Sequence, residues 1–238
     1  MKVALVGYGK MGKTLEKILV DRGHEVVARF GSEGTQVSEL KKADVAIEFS
    51  VPEAAYGNLK TCLESGVPIV TGTTGWLDRY DEIVSLCQEK NGGLIYASNF
   101  SLGVNLFFAL NRYLADLMAP YSDYNAEMTE IHHIHKLDAP SGTAISLAED
   151  LIKGLPQKDK WALKENAQSD SDLSIEAIRE NEVPGTHSIR YSSAIDDIEI
   201  THTAHNRQGF ALGAVIAAEY LNGKQGVYSM RDVLNLPS

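Results

Sequence analysis

The first hundred residues alternate short apolar runs with segments whose apolar positions recur at helical spacing. Val3 to Val6 is an apolar run of strand type, and Met11 to Arg22 carries the helical pattern. Glu25 to Phe30 and Asp44 to Phe49 read as the second and third strands. Ser50-Val51-Pro52 has the form of an N-cap followed by an early proline, opening a helix that continues to Glu64. Val67 to Thr71 is a fourth strand, Leu77 to Lys90 a helix and Leu94 to Ala97 a fifth strand. Repeated strand-helix units of this kind require a parallel sheet with right-handed crossovers.

The pattern changes after Asn99. Leu102 to Met118 is a long apolar helix, Glu127 to His133 alternates like a strand, and a helix runs from Ser141 to about Lys153. The polar stretch 156–174 reads as an exposed loop or insertion. Two strand-like segments follow, His187 to Ser193 and Asp197 to Ala204. Phe210 to Leu221 is an Ala-rich helix suited to pack back on the first sheet. The expected fold is therefore α/β: a parallel-sheet domain, then an α+β domain with a mixed sheet.

Charge narrows the function. The net charge of −10 argues against a nucleic-acid partner, which would be met by a basic stripe. An anionic ligand must then find a local cationic or N–H-rich pocket, because the overall field repels it. Cys62 and Cys87 form no CxxC pair and read as buried free thiols of a reducing compartment. With no signal-peptide pattern and no apolar run of spanning length, no membrane is expected and the location is expected to be cytoplasmic.

Two segments carry chemistry. Gly7-Tyr8-Gly9-Lys10-Met11-Gly12 follows a strand and opens a helix, the context of a dinucleotide fingerprint. Gly7 permits the tight turn, Gly9 the approach of a pyrophosphate and Gly12 close helix–strand packing, while the helix N-terminus offers N–H groups to phosphate. This is the start of a Rossmann-type domain. The second strand ends Ala28-Arg29-Phe30, without an acid for the ribose of NAD, so Arg29 points to NADPH as preferred donor and NADH as a second. Glu33, a few residues later, speaks for NADH. Gly72-Thr73-Thr74-Gly75 and Ala97-Ser98-Asn99-Phe100 follow later strands and fall at the same sheet edge. As isolated segments they are equally consistent with ordinary turns.

The second segment is Glu130-Ile-His132-His133-Ile-His135-Lys136-Leu-Asp138-Ala-Pro140-Ser141-Gly142-Thr143. Its histidines and lysine are proton carriers, and Ser-Gly-Thr opens a helix that offers hydroxyls and N–H groups to a carboxylate. Three plainer readings compete: a metal site at the histidine spacing, half-buried structural histidines, or a simple N-cap. The metal reading lacks a carboxylate or cysteine at ligand spacing, so no metal is expected.

The chain resembles the dihydrodipicolinate reductase (4-hydroxy-tetrahydrodipicolinate reductase) family over nearly its whole length. The resemblance rests on GYGKMG, the F-S-x-P-E of Phe49 to Glu53, GTTG, ASNFSLGVN, PGTHSIR, ITHTAHNRQGFALGA and, most specifically, EIHHIHKLDAPSGTA. It implies an NAD(P)H-dependent reductase of a cyclic dicarboxylate in lysine and diaminopimelate biosynthesis. His132 matches the acid/base histidine, Lys136 the proton-donating lysine and His133 a substrate contact. Gly142 and Thr143, with Ser141 beside them, match the carboxylate site. Gly7 to Gly12, Gly72 to Thr74 and Ala97 to Phe100 match the coenzyme loops. Arg207, just before the return helix, is a further candidate for a carboxylate or for loop closure.

The dinucleotide domain is expected over 1–101 and 210–238, and a substrate and oligomerisation domain over 102–209, with hinges near Ser101 and Gly209. Family members are tetramers built through the second sheet. The segment Ser188 to Thr201 is shorter than their usual hairpin, so a dimer is an expected alternative. The rival functions are another NAD(P)-dependent amino-acid dehydrogenase and a non-catalytic NAD(P)H-sensing module.

Overall fold

A computed structural model describes residues 1–206 and 208–236. The chain divides into two compact units, Met1–Asn105 with Gln208–Ser238, and Leu106–Arg207.

The first unit follows the strand-helix alternation. Its elements are β1 (Lys2–Val6), α1 (Lys10–Asp21), β2 (Glu25–Phe30), a short α2 (Val37–Leu40), β3 (Val45–Glu48), α3 (Pro52–Glu64), β4 (Ile69–Thr71), α4 (Tyr80–Glu89) and β5 (Gly93–Tyr96). The long α5 (Leu102–Met118) begins in this unit and ends in the other. The second unit adds β6 (Asn125–His132), α6 (Gly142–Gly154), β7 (Lys160–Leu163), β8 (Asp172–Arg179), β9 (Thr186–Ser192) and β10 (Asp197–Thr203). The chain then returns to the first unit with α7 (Gln208–Leu221), β11 (Gly226–Tyr228) and α8 (Met230–Val233).

The six strands of the first unit lie in the order β11-β5-β4-β3-β1-β2, and every pairing is parallel. Alternate side chains feed two separate cores, as the two-residue period of a strand requires. Val3, Leu5, Ile47, Val70 and Ile95 meet Leu15 and Leu19 of α1 and the alanines of α7. Ala4, Val6, Ala46, Ile69 and Leu94 meet Leu59 and Leu63 of α3 and Ile83 and Cys87 of α4. The expected return of the Ala-rich helix is thus observed. Small side chains bring α7 so close that a Cβ on Gly213 would lie 1.7 Å from the Phe100 carbonyl oxygen.

The second unit is a mixed five-stranded sheet, β10-β9-β6-β8-β7. Its central β6 runs parallel to β8 and antiparallel to β9. One face is closed by Phe107 and Met118 of α5 and by Leu147 and Leu151 of α6, packed on Met128, Ile175, Ile189 and Tyr191. Along β6 the buried positions are Ala126, Met128, Glu130 and His132, so two ionisable groups extend an apolar inward row.

Two expectations change. Residues 156–174 are not a loop: they contain β7 and the start of β8, paired in parallel from Lys160↔Asp172 to Leu163↔Ile175. β7 is a four-residue edge strand, Lys-Trp-Ala-Leu, and most of the polar residues of 156–174 lie outside it, on either side. Lys158 is buried beside it, its Nζ donating to Asn125 Oδ1 at 2.8 Å and to the Asp170 carbonyl at 2.7 Å. The N-cap of α3 is Val51 rather than Ser50, because the Ser50 hydroxyl donates to the carboxylate of Glu48.

Candidate functional site

Two clusters of chemistry-bearing residues stand out, one in each unit. The first lies at the carboxyl edge of the parallel sheet. Gly7 has φ +95°, and a Cβ there would lie 1.9 Å from the Phe49 carbonyl oxygen, so the turn after β1 admits only glycine. Its N–H and that of Tyr8 donate to the Phe30 carbonyl at 2.9 and 3.0 Å, tying the turn to the end of β2. A Cβ on Gly12 would lie 2.6 Å from the Gly7 oxygen, whereas one on Gly9 would meet nothing within 4 Å. Gly9 therefore leaves open space in front of the helix. It caps α1 without a side-chain hydrogen bond, and no acidic residue occupies the first turn. Unpaired N–H groups, an open approach and no competing carboxylate fit a bound pyrophosphate. Lys10 is exposed beside this opening, while Met11 packs against the core.

The GTTG and ASNF segments reach the same edge through Phe49. Gly72 is tight because a Cβ would lie 2.2 Å from the Phe49 ring, and that ring packs on Phe100 at 5.8 Å between centroids. Glu48 joins them from below. Fully buried, it accepts from Thr71 Oγ1 at 2.6 Å and Thr73 Oγ1 at 3.0 Å, while the Ser50 N–H donates to Thr73 Oγ1 at 2.8 Å. The Thr73 hydroxyl is thus engaged inside the loop, and Thr74 is the exposed member of the pair. In the other segment, Ser98 is exposed, Ala97 donates its N–H to the Thr71 carbonyl at 3.3 Å, and Asn99 Oδ1 accepts from the Ser101 N–H at 2.9 Å. Phe100 is core.

Arg29, expected to be open to a 2′-phosphate, is paired. Its Nε donates to Glu16 Oε1 at 2.9 Å and its Nη2 to the same oxygen, while Tyr8 donates its hydroxyl to Glu16 Oε2.

The second cluster is made of buried side chains. Glu130, His132 and His187 place one ligand-capable atom each within 4.8 Å of one another. His132 Nδ1 lies 3.2 Å from Glu130 Oε2, and the His132 and His187 rings meet edge to face at 5.1 Å. The other Glu130 oxygen accepts from the Ser141 N–H and from Arg179 Nη2, both at 3.0 Å. Burial alone would raise this carboxyl, but hydrogen bonds from His132, Ser141 and Arg179 overcome it and hold the pKa down at about 2. Burial first, then repulsion from His132, pushes His187 down to about 4, so its imidazole is neutral near pH 7. Ser141 Oγ sits 3.3 Å from His187 Nε2 and accepts the Ala144 N–H at 3.2 Å, capping α6 as expected. The carboxylate missing from the histidine spacing is therefore supplied by Glu130. Arg179, bound to the other oxygen of that carboxylate, already gives it a cationic partner.

Lys136 lies on the turn after β6, its Nζ bound by both oxygens of Asp138 at 2.9 and 2.8 Å. His133 is half-buried beside His135, whose Nε2 meets Glu182 Oε1 at 3.0 Å. Gly142 is exposed with open space at its Cα, Thr143 is half-buried, and the first turn of α6 has no acidic residue. The structure thus gathers His132 and Ser141 into one network and leaves Lys136 and Gly142 at its accessible side. Arg207 lies outside the described residues.

Sequence reading missed five members of these clusters. Glu130 had a signal, since strand alternation puts it on the same face as His132. Glu48 had a weaker one, as the single acid closing the apolar run Val45 to Ile47. Phe49 and His187 fall in segments that carry the resemblance but gave no sign of their contacts, and Arg179 had no local signal, because their roles arise from packing against distant segments.

Comparison with known proteins agrees with this arrangement. Residues 1–100 match the family described as dihydrodipicolinate reductase, N-terminus, and residues 103–234 match dihydrodipicolinate reductase, C-terminus. The chain is 49% identical over 237 residues to the 4-hydroxy-tetrahydrodipicolinate reductase of Christiangramia forsetii, covering 99% of this chain and 98% of that one. It is 37% identical to the enzyme of the same name from Methanoculleus marisnigri, over 82% of this chain and 77% of that one. Dipicolinate-bound dihydrodipicolinate reductase from Paenisporosarcina sp. shares the fold, with a TM-score of 0.77 at 24% identity over 96% of this chain and 97% of that one. No helix among the described residues is long and apolar enough to cross a membrane. The chain belongs to the dihydrodipicolinate reductase family.

Proposed function

We infer that this protein reduces 4-hydroxy-tetrahydrodipicolinate (dihydrodipicolinate) to tetrahydrodipicolinate with NAD(P)H, a step of lysine and diaminopimelate biosynthesis. The observation that carries the reading is the buried Glu130–His132–His187 network set against the N-terminus of α6. It joins an acid to an anion site, which is what reduction of an unsaturated cyclic dicarboxylate needs.

The coenzyme, when bound, supplies the hydride; the open, uncapped N-terminus of α1 and Gly72 to Thr74 with Ala97 to Phe100 hold it. The remaining work falls to side chains of the second unit. A substrate carboxylate sits on the N–H groups of Gly142 and Thr143, with the Thr143 hydroxyl as a further donor. Ser141 does not bind it through its hydroxyl, which is committed to capping α6 and to His187. His132 is the acid/base group, and Glu130 fixes its tautomer by facing Nδ1 and leaving Nε2 for substrate. The glycine at 185 keeps that nitrogen uncovered, since a Cβ there would lie 3.0 Å from it. Lys136, held by Asp138, stabilises negative charge developing on the substrate and donates a proton, with His133 as an additional contact. A non-catalytic sensor would have no use for a buried imidazole pair held by a carboxylate.

The protein is further proposed to act in the cytoplasm as a homo-oligomer, a tetramer or a dimer through its second sheet. The test is oxidation of NADPH or NADH with freshly generated substrate. Turnover is expected with that substrate, and none with either coenzyme would overturn the reading.

A further inference from the structure

Strand β2 ends without the acid that would bind the ribose hydroxyls of NAD, and Arg29 near its end is the cation that a 2′-phosphate would seek. The fold supplies the missing acid from elsewhere. Glu16 stands on α1 one turn beyond Gly12, and its carboxylate engages Arg29 through one oxygen and the Tyr8 hydroxyl through the other. Tyr8 belongs to the glycine turn itself, and the turn is tied to the end of β2 through the Phe30 carbonyl. Arg29 also lies 6.0 Å from the centre of the Tyr8 ring. A cavity of about 530 Å³ opens on the Arg29 side of this cluster, with Arg29, Ser32, Glu33 and Glu39 among its lining residues. The hydrogen bonds of Arg29, then of Tyr8, hold the Glu16 carboxyl below its ordinary range, so it is an anion at neutral pH.

We propose that Glu16 is a specificity-determining residue for the coenzyme: it occupies Arg29 and sets a negative charge beside the adenosine ribose, so that the protein accepts NADH and gains little from a 2′-phosphate. The proposal rests on the reductase reading above and deepens it. A phosphate dianion approaching Arg29 must displace Glu16 from the guanidinium and meets its charge, whereas a ribose hydroxyl donates to that carboxylate. The pair is partly exposed, with 41% of the Arg29 and 23% of the Glu16 side chain accessible, so both Arg29 and its mask are within reach of a ligand.

The test is a binding titration that needs no turnover. 2′,5′-ADP and 5′-AMP are each competed against the fluorescence of bound NADH, which isolates the 2′-phosphate. In the unaltered protein the two nucleotides are expected to bind within about threefold of each other. In Glu16→Gln the ratio is expected to move about five- to tenfold toward 2′,5′-ADP. The kcat/KM ratio of NADPH to NADH should move with it, chiefly through KM. In Glu16→Gln with Arg29→Ala the gain is expected to vanish. Glu33→Gln and Glu39→Gln are the controls for the two acids that line the cavity, and each should leave the ratio within about twofold. An unchanged ratio in Glu16→Gln, a gain that survives Arg29→Ala, or a shift confined to Glu33→Gln or Glu39→Gln would each overturn the proposal. A merely structural role for Glu16 would weaken both nucleotides alike, and Glu16→Ala repeats the test should Gln pair with Arg29. Lack of turnover with the dicarboxylate would defeat the reductase reading and leave these binding ratios readable.

Discussion

At the edge of the parallel sheet the groups offered to a ligand are mostly backbone: glycine turns, the uncapped N–H groups of α1 and two loops braced on Phe49. In the mixed-sheet unit the chemistry is carried by side chains, with Glu130, His132 and His187 buried and one oxygen of Glu130 bound by Arg179 and the Ser141 N–H. A backbone site binds by shape and fixed dipoles, and it tolerates loss of any one side chain but not an added Cβ. A buried charge network behaves in the opposite way. Removing one member leaves its partners desolvated and unpaired, so chemistry and stability fail together. The two sites should therefore respond to different perturbations, and four experiments sharpen or break that contrast.

The largest effect is on turnover. His132→Ala combined with Lys136→Ala is expected to lower kcat on the order of 10³-fold or more, since each group is proposed to serve in proton transfer. NADH binding, followed by fluorescence, should persist because the glycine edge is untouched. Substantial residual turnover would remove both residues from the mechanism.

Next comes Glu130→Gln. It leaves the Arg179 guanidinium without its buried carboxylate and is expected to cost about 3–5 kcal/mol in urea unfolding. Breaking the exposed Arg79–Glu82 pair with Arg79→Ala should cost less than about 1 kcal/mol. Equal losses would mean that the network is an ordinary surface-like pair.

Acid should weaken the same network in a defined window. His187 is held at about 4, against 6.5 when unperturbed, so the unfolded chain binds a proton that the folded one refuses between those values. Its contribution is complete above pH 6.5 and is lost as pH falls toward 4, a drop on the order of 3 kcal/mol. Glu130, held at about 2, adds a further loss below pH 4.5. Urea midpoints at pH 7 and pH 5 should converge in His187→Gln; a slope as steep as that of the unaltered protein would assign the acid lability elsewhere.

The smallest effect on stability is expected from Gly9→Ala. Its backbone is extended, with φ −88° and ψ −150°, and a Cβ would meet nothing, so unfolding should change by less than about 0.5 kcal/mol. Coenzyme affinity should nevertheless fall at least tenfold, because the methyl group fills the approach to the N–H groups of α1. Unaltered affinity would show that a ligand does not come that close.

Legibility in the sequence divides along the same contrast. β2 and the C-terminal end of α3 were bounded correctly from pattern alone, and the glycine spacing marked the turn after β1, because each depends on residues close in the chain. Residues 156–174 misled because β7 is only four residues long and is flanked by polar segments, and β11 was missed for its length of three residues. Arg29 stood in the right place but hid its partner, since Glu16 approaches from a helix that pattern reading treats as a separate element.

The sequence by itself determined the strand-helix alternation of the first hundred residues, the glycine turn, the helix opened by Ser141 and, through EIHHIHKLDAPSGTA, the family. These are local facts, set by periodicity, backbone freedom and capping within a few residues. Tertiary structure alone decided that Arg179 and His187 would gather around Glu130 and His132, and that Glu16 would pair with Arg29. Those choices follow from strand pairing and helix packing, which bring together groups far apart in the chain and fix their charge by burying them.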